Sequence, residues 1–201
     1  MSPTDSRIKP LDDRGNLVVN YGALDHRATV TFAGRNNRLV AEGDVKLSKP
    51  SIRFQGDNAE VIIGAVAPDT NLSLDLVVAD GASITIGAGV TSEKSLRITT
   101  APGAKVSIGE DSHMGARVVV TADDALGLGP SSGEDRHDVT IGSHVWLLRG
   151  VEVRAGARIG DGTVLELVPL VDDELPEGFL VRGLPATPIR PITWDRSQLP
   201  K

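Results

Sequence analysis

An aliphatic residue stands at every sixth position from Ile141 to Val171, through Leu147, Val153, Ile159 and Leu165. A buried face returning every six residues fits neither an α-helix, which repeats near 3.6, nor an open strand, which repeats at 2. It fits a short flat strand plus a turn, repeated as the chain coils on itself. Small or β-branched residues follow four places after the anchors at Val145, Val151, Ala157 and Thr163, with Pro169 in the last such place, and Ile159-Gly160-Asp161-Gly162 carries the turn chemistry. The spacing predicts an all-β fold, a parallel β-helix with about 18 residues in each three-sided coil.

A second run of the same period passes through Leu72, Val78, Ile84, Val90, Leu96, Pro102, Ile108, Met114 and Val120, broken only at Pro102. The step from Val120 to Ile141 is not a multiple of six, so residues 121–138 leave the coil and return to it. A regular solenoid wall buries its own side chains, which makes this protruding loop the first place to look for chemistry. Upstream, the alternating pairs Val30/Phe32, Val45/Leu47, Ile52/Phe54 and Val61/Ile63 read as earlier, less regular coils. The expected organisation is an irregular segment 1–28, a β-helix 29–174 with its loop, and a C-terminal cap 175–201. Phe179, Ile189 and Trp194 are expected to shield the apolar end of the last coil.

Composition narrows the function. Hydrophobic residues make up 40% of the chain but aromatics only 3%, which suits a narrow prism filled by aliphatic side chains with no room for stacked rings. The absence of cysteine excludes thiolate metal sites and a cysteine nucleophile, and no metal-ligand motif stands elsewhere. A net charge of −6 with no basic cluster argues against a nucleic-acid partner. Residues 1–13 are polar, without an apolar run, so neither membrane insertion nor a signal peptide is expected and a cytoplasmic location is the default.

From Asp138 the residues resemble a known family. Asp138-Val-Thr-Ile-Gly-Ser-His-Val-Trp-Leu147 is similar to the signature of hexapeptide-repeat acyltransferases, and Leu175-Pro-Glu-Gly-Phe-Leu-Val-Arg-Gly-Leu-Pro-Ala-Thr-Pro-Ile-Arg190 to their closing segment. Gly103-Ala-Lys-Val-Ser-Ile-Gly-Glu-Asp-Ser-His-Met114 and Val118-Val-Val-Thr-Ala-Asp123 resemble the capsule and O-antigen saccharide O-acetyltransferase branch. The resemblance implies a left-handed β-helix, a homotrimer, and acetyl-CoA or another acyl-CoA as donor in a groove between subunits, with a saccharide hydroxyl or amine as acceptor. It places Trp146 and Gly150 along the cofactor's path, and Arg149, Arg182 and Arg190, among the arginines concentrated in the C-terminal coils, are candidates for its phosphates, which arginine suits through its planar paired donors.

The departures from that family fall on the chemistry. The branch closes a T-S-D-x-H motif with the histidine that takes the acceptor's proton; here the matching residues are Thr121-Ala122-Asp123-Asp124-Ala125, so the base is replaced by Ala125. Leu148 stands where a small residue lets the pantetheine arm approach, Glu166-Leu167-Val168-Pro169 replaces G-A-G-S, and Thr187 replaces a lysine. The substitute base is expected at His137, where the loop rejoins the coil, with Asp124 as the fallback carboxylate and Asp123 and Arg136 as acceptor-binding residues. Gly133-Glu-Asp-Arg-His137 also resembles a segment of serine acetyltransferases in which the Arg and His hold the substrate. His113 sits one coil earlier, where the family often has a small residue. Two other readings fit the same departures: an inactive relative serving as scaffold or as a partner in a mixed trimer, and a sugar-binding module.

Overall fold

Parallel ladders stack into three flat walls, so the six-residue rhythm does encode a β-helix. The computed structural model describes residues 11–20, 27–42, 47–66, 71–123 and 137–199. The first wall runs Leu17–Asn20, Arg38–Ala41, Glu60–Ile63, Ser83–Ile86, Lys105–Ile108, Val139–Ile141, Arg158–Ile159 and Glu174–Leu175. The second runs Thr29–Phe32, Ser51–Phe54, Leu74–Val78, Leu96–Thr100, Val119–Ala122, Glu152–Arg154 and Leu170–Val171. The third runs Thr91–Ser92, His113–Met114, Trp146–Leu147, Val164–Leu165 and Phe179–Arg182, and is closed by the antiparallel strand Thr187–Pro191. The ladder thus takes in Leu17–Asn20 ahead of the expected 29–174 span and Phe179–Arg182 after it.

Every anchor of the later run lies inside: Ile141, Leu147, Val153, Ile159, Leu165 and Val171 are all buried in one continuous core. Pro102 is exposed, and the chain passes it by burying Ala101 and Ala104 instead.

Coil length differs from expectation in the first half. After the loop Leu147 pairs with Leu165, 18 residues on, but upstream Ile98 pairs with Leu76, 22 residues back. The first and second walls carry strands of four or five residues there, against two or three later. Longer strands make a wider prism, which corrects the expectation that no rings stack inside. Phe32 and Phe54 stack at 4.8 Å between centroids, and Phe54 is fully enclosed.

The corners between the first and third walls hold Gly64, Gly87, Gly109, Gly142 and Gly160. A Cβ on any of them would sit under 3 Å from the coil above. On the early coils side chains staple successive corners: Asp57 Oδ1 accepts from Arg35 N at 2.8 Å, and Asp80 Oδ1 accepts from Asp57 N at 2.8 Å.

The cap differs from expectation. Trp194 does not cover the end of the prism but lies on its flank, packed with Val164 and Leu180 of the third wall. Ile189 is exposed. Phe179 does pack against the core.

Candidate active site

Among the described residues, the third wall alone carries an adjacent imidazole and indole on its outer face. Parallel register places Thr91, His113, Trp146 and Val164 directly above one another, while the alternate residues Met114, Leu147 and Leu165 point into the core. The C-terminal segment crosses this face as a strap. Trp194 stacks on His144 with centroids 4.1 Å apart, and its Nε1 donates to His144 O at 2.9 Å. His144 Nε2 meets Trp194 O at 2.8 Å and Nδ1 meets Asp111 Oδ2 at 2.7 Å. Both partners are oxygen acceptors, set on opposite edges of the ring. Past the N-cap Asp195, which accepts from Ser197 N, Arg196 reaches back over the wall. Its guanidinium donates to Asp111, to Gly89 O and, at 3.1 Å, to Thr91 Oγ1.

His113 lies beneath this strap. Its side chain is 8% exposed, its Nδ1 meets Thr91 Oγ1 at 2.9 Å, and its ring stands edge-on to Trp146 at 6.4 Å. Nε2 is enclosed and has no hydrogen-bond partner among the described residues. Glu93 Oε1 is 3.9 Å from it, beyond hydrogen-bond range, while Glu93 Oε2 accepts from Ala116 N at 3.1 Å. Burial pushes the His113 pKa below its ordinary value; the Glu93 carboxylate opposes this and Arg196 adds to it. Asp111 is also held low: burial raises it, but hydrogen bonds from Arg196 and His144 together outweigh that.

Both shifts give the same sign. A histidine whose folded pKa lies below the unfolded value of 6.5 lends stability that is complete above that pH and is lost as pH falls through the folded pKa. Asp111 behaves alike from 3.8 downward. Denaturant midpoints are therefore expected to fall from about pH 6.5 toward pH 5, and His113→Gln is expected to flatten that part of the curve. A midpoint indifferent to pH across this interval in the wild-type protein would contradict the burial of a neutral imidazole.

The residues singled out from sequence separate into three groups. Trp146 stands on the third wall, in register with His113. Arg149 and Gly150 are exposed on the corner after it, with Gly150 at φ 77° and its N–H donating to Ala116 O at 2.9 Å. Arg182 lies one coil further and pairs with Glu166, with Nε 2.8 Å from the carboxylate. The carboxylate in the segment that replaces G-A-G-S is thus matched by a cation. Arg190 is exposed on the closing strand, its Nη1 3.3 Å from Pro191 O. Asp123 is exposed where the loop departs, and His137 is a half-buried turn residue where it returns, next to Asp138, whose Oδ1 accepts from Lys105 N at 2.7 Å. Asp124, Ala125 and Arg136 lie outside the described residues. Thr91, Glu93 and Arg196 stand in no motif, and Asp111, inside the Gly103–Met114 segment, was given no role from sequence.

Among the described residues no three His, Asp or Glu side chains converge as a metal site requires, and no helix is long and apolar enough to cross a membrane. No family model matches the chain. It is 28% identical over 145 residues, 70% of its own length, to the polysialic acid O-acetyltransferase of Neisseria meningitidis. The crystal structure of the polySia-specific acetyltransferase NeuO superimposes with a TM-score of 0.79 at 27% identity, covering 91% of this chain and 86% of that one. Polysialic acid O-acetyltransferases are thus homologues of this chain, and its β-solenoid is of the kind typical of hexapeptide-repeat acyltransferases. The polysialic acid O-acetyltransferase OatWY shares the fold, at a TM-score of 0.61 and 21% identity over 90% of this chain and 92% of that one. The bifunctional protein GlmU of Corynebacterium glutamicum is 27% identical over 85% of this chain. The chain spans 66% of the length of the Neisseria protein and 43% of that GlmU.

Proposed function

We propose that this protein transfers an acetyl group from acetyl-CoA to a hydroxyl of a saccharide, with a polymer of sialic acid as the acceptor class to try first. The observation that carries this reading is the match to the polySia-specific acetyltransferase over nine-tenths of the chain, with Trp146 standing on the third wall. The residues proposed for the donor lie on the corner beside that wall and on the closing strand. Arg149 and Arg190 are exposed cations for phosphate groups, and the space on the Cβ side of Gly150 is open to 4 Å, which leaves room for a close approach. Leu167, 78% exposed at φ 56°, offers an apolar surface to the donor's arm, and Arg182 offsets Glu166.

The acceptor's oxygen becomes a competent nucleophile only as its proton leaves, so the site needs one neutral imidazole or carboxylate within reach of it. A homotrimer, with the groove completed by a neighbouring copy, belongs to the same proposal, as does a cytoplasmic location, where acyl-CoA is at hand.

Binding of the donor is tested by melting the protein with increasing acetyl-CoA. Ligand linkage adds about 2.7 kcal/mol at a hundredfold excess over Kd, so the melting temperature is expected to climb with concentration. Curves that do not move would favour the scaffold or sugar-binding alternatives.

A further inference from the structure

Resting on the acetyl-transfer reading, we propose that His113 on the third wall, rather than His137 at the loop, accepts the proton of the acceptor hydroxyl, in a subsite formed by His113 Nε2, Glu93 and Trp146.

Three observations converge on this group. Nε2 is an enclosed polar atom without a protein partner, an arrangement that costs free energy unless something else satisfies it. Glu93 Oε1 lies 3.9 Å away. Two atoms at that separation can share one hydroxyl oxygen about 2.8 Å from each, once the Glu93 side chain turns to admit it. The flat indole of Trp146 stands beside the gap, in register with His113, and an aromatic ring is a suitable platform for a sugar's C–H face. Glu93, whose side chain is 29% exposed, stands between Nε2 and solvent, so a rotation of that side chain is the way in for the hydroxyl.

The rest of the constellation fits a base. Nδ1 carries the ring hydrogen and donates to Thr91 Oγ1, whose second lone pair takes the Arg196 Nη1–H, leaving the Nε2 lone pair for the substrate. Burial keeps the imidazole neutral at rest, and the nearby carboxylate favours the cation formed during reaction. His113 takes the hydroxyl proton as the oxygen bonds the acetyl carbon; the carbon–sulfur bond breaks, and His113 returns the proton to the departing sulfur. Thr91 and Arg196 are positioning residues, acting through the ring.

The test compares acetyl transfer from acetyl-CoA to polysialic acid by the wild-type chain, His113→Gln, Glu93→Gln and His137→Gln, each first checked for a cooperative melt. Removing a general base costs about 10²–10⁴ in rate. His113→Gln is expected to lose at least about a hundredfold in kcat with an unchanged KM for acetyl-CoA, Glu93→Gln about tenfold, and His137→Gln little. Transfer surviving His113→Gln overturns this assignment alone. No transfer by the wild type to any saccharide hydroxyl overturns the acetyl-transfer reading and this step with it. Should His113→Gln fail to fold, nitrogen NMR of the wild-type imidazole decides. An unprotonated Nε2 that shifts when the acceptor is added supports the assignment, and a hydrogen fixed on Nε2, or no response to acceptor, overturns it.

Discussion

Trp194→Ala is expected to lower stability by about 3–5 kcal/mol, the usual cost of truncating a buried tryptophan. Trp194 is 6% exposed and packs with Val164, Leu180 and Trp146, while its Nε1 donates to His144 O and its ring stacks on that imidazole. The loss has a ceiling set by the strap itself. Once its anchor is gone, residues past the closing strand can lift from the wall while the coils stay folded, because the coils hold themselves by parallel ladders that the strap does not enter. The expected signature is therefore local: faster hydrogen exchange at Thr91–Ser92 and His113–Met114, with exchange across Ile98 and Val120 nearly unchanged. Trp194→Phe keeps the apolar contact and the stack, losing only the Nε1 hydrogen bond, and is expected to cost about 1 kcal/mol. Uniformly faster exchange in Trp194→Ala would show that the strap holds the whole solenoid.

Gly109→Ala is expected to act on the coils instead. A Cβ at this corner would lie 2.4 Å from Ser143 N and 2.5 Å from Gly142 C, both backbone atoms of the coil above. Neither can rotate away, so the coils must separate at a point where Gly109 N donates to Ile141 O at 2.8 Å. Overpacking of this kind costs about 3 kcal/mol at its upper range, and roughly 6–12 °C in melting temperature for a chain of this length. Gly103→Ala serves as the comparison. Open space surrounds its Cβ position, but its φ is 72°, so only the smaller cost of a left-handed alanine is expected there. Equal melting temperatures for the two variants would contradict the tight stacking of that corner.

The solenoid was legible because its period is set by geometry that every coil repeats: an outward residue cannot take an anchor's place without putting a polar group in the core. Ile141 through Val171 show this directly. Coil length was less legible. Strands of four or five residues upstream bury alternate residues along their length, so a six-residue frame still lands on buried positions such as Val78, Ile84, Val90 and Leu96 although the coil has 22 residues and not 18. That difference hid the site. With 18-residue coils His113 would lie above Ser95; with the actual 22 it lies above Thr91, and Glu93 comes alongside. The strap left no periodic trace either. Arg196 meets Asp111 from 85 residues away and Gly89 from 107, through one guanidinium with no motif around it. Trp146 and the glycine-bearing turns were readable because their roles are local. The loop's Asp124, Ala125 and Arg136 remain sequence proposals.

Acetyl transfer itself is the most direct measurement. Incubating the full chain with acetyl-CoA and polysialic acid, while following both released thiol and acetylated polymer, should give matched, time-dependent increases that depend on protein concentration. Thiol release no greater than in the polymer-free control, together with unmodified polysialic acid and other unmodified saccharide hydroxyls, would contradict the account.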